Sequence, residues 1–139
     1  MRSNKPILLI EDDHVDAMIV KRALTQIKVP NRLDIAVDGE EALALLKNPN
    51  HENPCLILLD LNMPRMNGLE FLDVFKQDAT LKRIPVIVLT SSGETQDKIN
   101  SFNFGVAGYF QKPIEYQQFV EIVKIIDRYW TLSELSPEV

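Results

Sequence analysis

Four short strand-like runs in this chain are each followed at once by polar residues, and this pattern constrains the fold more than any other. The runs occupy residues 7–10, 56–59, 86–89 and 106–111. The polar segments that follow them are Glu11-Asp12-Asp13, Asp60, Thr90 and Lys112-Pro113. The first run has no polar alternation, which indicates a strand that is covered on both faces, as in a parallel sheet. Polar residues delivered to one edge of such a sheet would form a site for a divalent cation and a phosphoryl group.

Segments with helical spacing alternate with the apolar runs. Apolar residues recur at the helical period between residues 15 and 27, for example. Such alternation is typical of β-α units on a parallel sheet. We predict five strands, at residues 7–10, 33–37, 56–60, 84–90 and 106–110, and five helices, the fourth over about 95–103 and the fifth over 115–130. The expected fold class is α/β, a flavodoxin-like doubly wound sheet of parallel strand order 2-1-3-4-5 in one domain.

Composition excludes several classes of protein. The chain has 139 residues, which is enough for one domain with a core. No apolar run approaches the roughly 20 residues of a membrane span, and the first run is too short for a secretory signal. Cys55 is the single cysteine, which fits a reducing cytoplasm. The net charge of −5, without a basic cluster, argues against nonspecific nucleic-acid binding. We therefore expect a cytoplasmic protein that binds neither membrane nor nucleic acid.

The predicted strand order brings acids from distant parts of the chain together. In this fold, ligands bind beyond the carboxyl ends of the strands where the order reverses, between the first and third strands. Glu11 and Asp12 end the first strand, and Asp60 ends the third. Carboxylates this close would repel one another, and Mg²⁺ would relieve the repulsion because it prefers oxygen ligands. Lys112 would add a fixed positive charge and Thr90 a hydroxyl donor.

A purely structural interpretation of the acids also stands. Acids after a strand often cap the next helix, and Asp12 or Asp13 could cap the first helix in this way. The Lys112–Pro113 bond is one at which a cis peptide costs little, and a cis bond could aim the lysine into the site.

Five motifs together resemble the receiver domain of two-component response regulators, and the match covers nearly the whole chain. They are ILLIED at residues 7–12, LLDLNMP at 58–64, NG at 67–68, VLTS at 88–91 and GYFQKP at 108–113. Each is weak alone, but in this order at strand ends they are specific. The resemblance implies that Asp60 accepts a phosphoryl group from a sensor histidine kinase or a phosphotransfer protein. It also implies that Asp12 and Asp60 bind Mg²⁺ directly, with Glu11 acting through water and Asn62 through its backbone carbonyl.

The resemblance also implies a conformational switch. Thr90 and Lys112 would bind the phosphoryl oxygens, and Tyr109 falls at the position of the family's switch aromatic. Phosphorylation would draw Thr90 toward the new charge and vacate space into which Tyr109 turns. The face formed by the fourth helix, the fifth strand and the fifth helix would change in response. The protein would catalyse only its own phosphorylation and dephosphorylation, and Asp13 would be a turn or capping residue.

The last helix carries more apolar surface than one packing face needs. One arc is enough to cover the sheet, and its members are Tyr116, Phe119, Val120, Val123, Ile126 and Trp130. Ile122, Ile125 and Tyr129 form a further stripe, which indicates either a wide buried face or an interaction surface. As a hypothesis, these three residues contribute to a homodimer or to a kinase contact.

We expect no output domain after the predicted receiver domain. That domain would span residues 1–130, leaving residues 131–139 as a short tail. The Tyr129-Trp130 ending and the loop rich in asparagine and proline before the third strand are similar to the stand-alone response regulators of bacterial phytochromes, especially cyanobacterial ones. That group tends to dimerise.

Two other classes of function remain open from the residues alone. A phosphohydrolase could use Asp60 as its nucleophile, but Asn62 stands where the second acid of an Asp-x-Asp motif would be, and no cap domain encloses a substrate. A pseudo-receiver would act as a constitutive binding module. The complete set of Asp12, Asp60, Thr90 and Lys112 argues against that reading.

Overall fold

The apolar runs pair side by side into one parallel sheet, and helices cover both of its faces. The computed structural model describes residues 3–132. The elements in chain order are β1 Ile7–Ile10, α1 His14–Gln26, β2 Leu33–Ala36, α2 Gly39–Lys47, β3 Leu56–Leu59, α3 Gly68–Phe75, a 3-10 turn Leu81–Arg83, β4 Val86–Thr90, α4 Thr95–Asn103, β5 Gly108–Gln111 and α5 Tyr116–Leu132. The strand order is β2-β1-β3-β4-β5. The predicted fold class and strand order are therefore confirmed.

Register places the strand ends level with one another at the middle of the sheet. Ile10 of β1 is paired with Leu59 of β3, so the residues that follow them, Glu11 and Asp60, emerge next to each other. The amide of Asp60 donates to the carbonyl of Ile10 at 3.0 Å, which extends the pairing into the site. At the other side, the amide of Lys112 donates to the carbonyl of Thr90 at 2.7 Å. Backbone hydrogen bonds thus fix the backbone positions of Asp60 and Lys112 at the edge of the sheet.

Alternate strand residues feed two separate cores, because successive side chains of a strand point to opposite faces. Leu8 and Ile10 of β1 belong to one core, which α2 and α3 complete. Ile7 and Leu9 belong to the other core, which α1 and α5 complete. Since the central strands β1, β3 and β4 are buried throughout, the sheet is covered on both faces, as the sequence predicts.

Side chains of the preceding loops cap the three helices that follow β1, β2 and β3. Asp13 accepts a hydrogen bond from the amide of Asp16 at 3.0 Å, Asp38 caps α2 and Asn67 caps α3. Such a cap contributes about 1 kcal/mol. The prediction of Asp13 as a capping residue is confirmed, since its carboxylate binds the first turn of α1.

The element bounds differ from prediction where local chemistry intervenes. β4 begins at Val86 rather than at Ile84, because Pro85 has no N–H to donate to the ladder. β5 occupies Gly108–Gln111, two residues later than the start of its apolar run. α5 continues to Leu132 and so takes in the first two residues of the predicted tail, while the rest of that tail lies outside the described residues.

The last helix divides as its sequence pattern indicates. The predicted packing arc is buried from Phe119 to Trp130, with Tyr116 partly exposed at its start. In the extra stripe, Ile122 packs partly against the core, whereas Ile125 and Tyr129 are each more than half exposed. Across residues 3–132, no helix combines the length and the apolar character that crossing a membrane requires.

Two adjacent isoleucines of α5 test this division. Ile126 is 4 % exposed and Ile125 is 56 % exposed. Ile126→Ala should lower the free energy of unfolding by about 2–5 kcal/mol, because it leaves a cavity under the sheet. Ile125→Ala should change it by about 0.5 kcal/mol or less. Urea denaturation in dilute solution measures both variants, and equal losses would contradict the assigned orientation of the helix.

Candidate metal and phosphoryl site

The carboxyl ends of four strands converge on Asp60. Glu11 follows β1, Asp60 follows β3, Thr90 ends β4 and Lys112 follows β5. Glu11, Asp60 and Thr90 are buried, and the side chain of Lys112 is largely so. The structure therefore brings together the residues that the sequence singles out at the strand ends, and Asp12 joins them from the exposed side.

Asp60 is contacted on both of its carboxylate oxygens. The hydroxyl of Thr90 donates to Oδ1 at 2.7 Å. The ammonium of Lys112 lies 3.6 Å from Oδ2. The backbone amide of Asn62 also donates to Oδ1, at 3.3 Å, so the loop after β3 folds back over the acid. These contacts hold the carboxylate in one orientation with a hydroxyl and a cation beside it.

Lys112 is shared among three acids. Its ammonium donates to Glu11 Oε1 in a short hydrogen bond and to Asp16 Oδ2 at 3.1 Å, in addition to facing Asp60. Asp16 was missed by the sequence interpretation, because an acid in the first turn of a helix usually serves the helix dipole. The available signal was its position three residues after Asp13, on the turn of α1 nearest the strand end.

Three carboxylates form a cluster with the spacing of metal ligands. One oxygen from each of Glu11, Asp12 and Asp60 can be chosen so that all three lie within 4.8 Å of one another. A donor set made only of carboxylate oxygens suits a hard cation such as Mg²⁺. Asn62 is in place beside Asp60 through its amide, and the role of its carbonyl as a ligand stays a prediction.

The electrostatics of the cluster favour a further positive charge. Burial raises the pKa of the Glu11 carboxyl to about 8, against the hydrogen bond from Lys112, and the charge of Asp60 acts in the same direction as burial. Burial lowers the pKa of Lys112, but the hydrogen bond to Glu11 and the charge of Asp60 outweigh it and leave the pKa raised. The ammonium is therefore charged, and it faces the three acids Glu11, Asp16 and Asp60. A divalent cation would restore the balance.

The predicted switch residues are linked by a short hydrogen-bonded chain. The hydroxyl of Tyr109 donates to the carbonyl of Ser92 at 2.9 Å, and the amide of Ser92 donates to Thr90 Oγ1 at 3.3 Å. The hydroxyl of Ser92 donates to Asp97 of α4 at 2.6 Å. Thr90 contacts Asp60 directly and Tyr109 is half-buried, while their roles in a conformational switch stay a prediction.

Two features of the backbone refine the prediction. The described residues contain no cis peptide bond, so the cis Lys112–Pro113 bond that the sequence allows is not formed, and the backbone amide of Lys112 is held by its hydrogen bond to Thr90. Gly68 begins α3 against the site. A Cβ there would lie 2.6 Å from the carbonyl oxygen of Asp60, so only glycine lets α3 approach this closely.

The predicted interface residues form part of an apolar patch on α5. Ile125 and Tyr129 line a shallow depression together with Arg128 and Leu132. Ile122 contributes less, since it packs partly against the core. The exposed part of the stripe is therefore narrower than predicted, and it extends one turn further along the helix.

Comparison with known proteins gives a consistent family assignment. The model of the response regulator receiver domain matches residues 7–124. Response regulator Rcp1 of Synechocystis sp. is 39 % identical over 141 residues, which cover 97 % of this chain and 96 % of Rcp1. The probable methanogenesis regulatory protein FilR2 of Methanothrix harundinacea is 34 % identical over 94 % of this chain and 86 % of its own length.

Solved structures agree in shape as well as in sequence. The phosphorylated cyanobacterial phytochrome response regulator RcpA superposes with a TM-score of 0.89 at 38 % identity, over 97 % of this chain and 99 % of that one. The Mn²⁺-bound form of Rcp1 superposes with a TM-score of 0.87 at 37 % identity, over 95 % and 99 %.

Two neighbouring acids distinguish a ligand from a cap. Asp12→Asn removes a carboxylate from the cluster and should weaken Mg²⁺ binding by roughly 10-fold or more. Asp13→Asn preserves the cap of α1, because asparagine caps as well as aspartate, and should leave the affinity near that of the wild type. Calorimetric titration with Mg²⁺ compares the two variants. Equal weakening would mean that the acidity of the loop, rather than a specific ligand, attracts the cation.

Proposed function

Because this chain belongs to the response regulator receiver domain family, we propose that it is a single-domain response regulator that accepts a phosphoryl group on Asp60. The observation that carries the proposal is the surroundings of this buried acid. A hydroxyl donor, an ammonium and two further carboxylates converge on it from the ends of other strands. The phosphodonor is a histidine kinase or another phosphorylated donor protein, as for receiver domains in general.

Mg²⁺ is the cofactor of this family, and the cluster of Glu11, Asp12 and Asp60 offers the oxygen ligands that it prefers. When bound, the cation neutralises charge on the phosphoryl group. An oxygen of Asp60 forms the new bond to phosphorus as the phosphorus–nitrogen bond of a phosphohistidine breaks. The departing imidazole keeps the electron pair of that bond and takes up a proton.

Two other residues would receive the phosphoryl oxygens. The hydroxyl of Thr90 points at Asp60 and can transfer its hydrogen bond to the phosphoryl group. The ammonium of Lys112 carries a fixed positive charge to the other side of the same carboxylate. Both are positioned before the reaction, so little reorganisation opposes the transfer. The protein would catalyse only its own phosphorylation and, more slowly, its own dephosphorylation.

A phytochrome-type kinase is the donor that we infer for this chain. The support is its similarity, over nearly the whole of both chains, to RcpA, which is described as a cyanobacterial phytochrome response regulator. The output would be the face of α4, β5 and α5. On this face Tyr109 is tied to the loop after β4, and α4 is tied to the same loop through Asp97.

Labelling with a small phosphodonor tests the assignment of Asp60. Acetyl phosphate with Mg²⁺ should label the wild type and leave Asp60→Asn unlabelled, because the amide is not a nucleophile. Asp13→Asn, which alters an acid outside the cluster, should be labelled like the wild type. Mass spectrometry of the intact protein detects the added group.

The other outcomes discriminate among the alternatives. Labelling of both the wild type and Asp60→Asn would overturn the site assignment, and labelling of neither would favour a constitutive binding module. Steady release of phosphate from unrelated phosphate esters would favour a phosphohydrolase. Repeating the transfer with the histidine kinases of the source organism tests the pairing, and transfer only from kinases other than phytochromes would contradict it.

We also propose that the exposed part of the α5 stripe forms a homodimer interface. Ile125 and Tyr129 are adjacent on this face, with Leu132 one turn further along. An exposed apolar patch that ends a helix on the family's output face is more costly in water than packed against a second copy.

Sedimentation of an α5 variant tests the dimer. Ile125→Glu places a charge in the patch and should yield a monomer at concentrations where the wild type is dimeric. Val74→Glu on α3 introduces the same charge at a half-exposed apolar position outside the stripe, and it should not change the mass. A wild type that is monomeric at every concentration, phosphorylated or not, would refute the proposal.

A further inference from the structure

Arg65 lies in the loop that follows the phosphoacceptor, and its backbone is in the left-handed region with a φ of 57°. Glycine or asparagine adopts this conformation more readily than a long side chain does. The loop, residues 60–67, thus holds an arginine at a position where the backbone disfavours it. An unfavourable backbone conformation of this kind suggests that contacts of the side chain stabilise it, and the contacts of Arg65 are specific.

The guanidinium of Arg65 binds an acid at the start of α2. Its Nε donates to Asp38 Oδ2 at 2.6 Å, and a second N–H of the guanidinium donates to the same oxygen in a short hydrogen bond. The other oxygen of Asp38 accepts from the amide of Glu41 at 2.9 Å. The side chain of Asp38 has no exposed surface, while that of Arg65 is 62 % exposed. A buried carboxylate is therefore bound from the solvent side by the loop.

A second contact joins the same two segments through the backbone. The amide of Gly39 donates to the carbonyl of Met66 at 3.0 Å. A Cβ on Gly39 would lie 2.6 Å from the Cγ of Met66, so the absence of a side chain permits this approach. The start of α2 thus contacts two consecutive residues of the loop.

The anchored part of the loop is directly connected to the site. At its beginning, the amide of Asn62 donates to Asp60 Oδ1 at 3.3 Å. At its end, the amide of Gly68 donates to the carbonyl of Leu61 at 3.1 Å. Between these two points, Arg65 makes the charged contact with the rest of the protein. Displacement of Arg65 would therefore shift the loop and change the position of Asn62 beside Asp60.

We propose that Arg65 is a positioning residue, which clamps the β3–α3 loop to the start of α2 through Asp38 and so holds Asn62 in place for cation binding beside Asp60. The cation-binding part of this proposal rests on the proposed function, whereas the clamp itself does not. Asp38 can exert the pull because its carboxylate remains charged: the hydrogen bond from Glu41 lowers its pKa against burial, and Arg65 adds to that effect. A clamp made by an exposed arginine can open without unfolding α2.

Arg65→Gly removes the clamp and relieves the left-handed backbone at the same time. Without any cation, amide hydrogen exchange at residues 61–68 should become roughly 10-fold faster, while the strands keep their protection. The dissociation constant for Mg²⁺, measured by calorimetry, should rise roughly 10-fold, as for other residues that support metal ligands. Arg32→Gly is the matched control. Arg32 is 60 % exposed and is also paired with an aspartate, but that partner, Asp34, is 19 % exposed and lies on β2.

A second variant approaches the same contact from the other side. Asp38→Asn keeps the cap of α2 but removes the charge, and it should reproduce the effects of Arg65→Gly on exchange and on Mg²⁺ binding. The double variant should be no worse than either single variant. Arg65→Lys, which retains a charge and loses the forked geometry, should restore part of the protection.

Each result bears on a distinct part of the proposal. Unchanged loop exchange and unchanged Mg²⁺ affinity in Arg65→Gly would overturn it. A uniform loss of protection over the whole chain would also overturn it, since the ion pair would then be a general stabiliser. Faster loop exchange in Arg65→Gly, combined with a wild type that binds no Mg²⁺, would support the clamp and refute the proposed cation site.

Discussion

The burial of two carboxylates side by side, Glu11 and Asp60, is the constraint on which the rest of the structure depends. Parallel pairing of β1 with β3 places them next to each other, and the backbone hydrogen bond from Asp60 to Ile10 continues that pairing beyond the strand ends. Neighbouring buried carboxylates repel each other unless a cation or a proton neutralises one of them. Lys112 supplies a positive charge from the end of β5, which makes the outermost strand on that side of the sheet essential to the centre.

Much of this arrangement could be predicted, because it depends on properties that are local in sequence. Continuous apolar runs indicate buried strands, and the polar residue after each run indicates which side chains reach the edge. The strand order brings these positions together, which is why the convergence of Asp60, Thr90 and Lys112 could be predicted before any coordinates. The capping role of Asp13 follows equally from its place before a helix.

What could not be predicted depends on side-chain geometry between distant segments. Asp16 looks like an ordinary acid in a first helical turn until Lys112 is seen to reach it. Arg65 is one more surface arginine in the sequence, because neither its φ nor the complete burial of Asp38 leaves a trace in composition. The hydrogen bond from Thr90 to Asp60 depends on the rotamer of the threonine side chain, which no motif encodes.

The two ends of Thr90 have consequences for how such a protein can change over evolution. Its hydroxyl donates to Asp60, whereas its carbonyl accepts the hydrogen bond from the backbone amide of Lys112. The contact with Asp60 is made by the side chain of Thr90, and the contact with Lys112 is made by its backbone. A substitution at this position would therefore change the contact with Asp60 while the backbone hydrogen bond to Lys112 is kept. During evolution, the side-chain contact of Thr90 can therefore change without any change in its backbone contact.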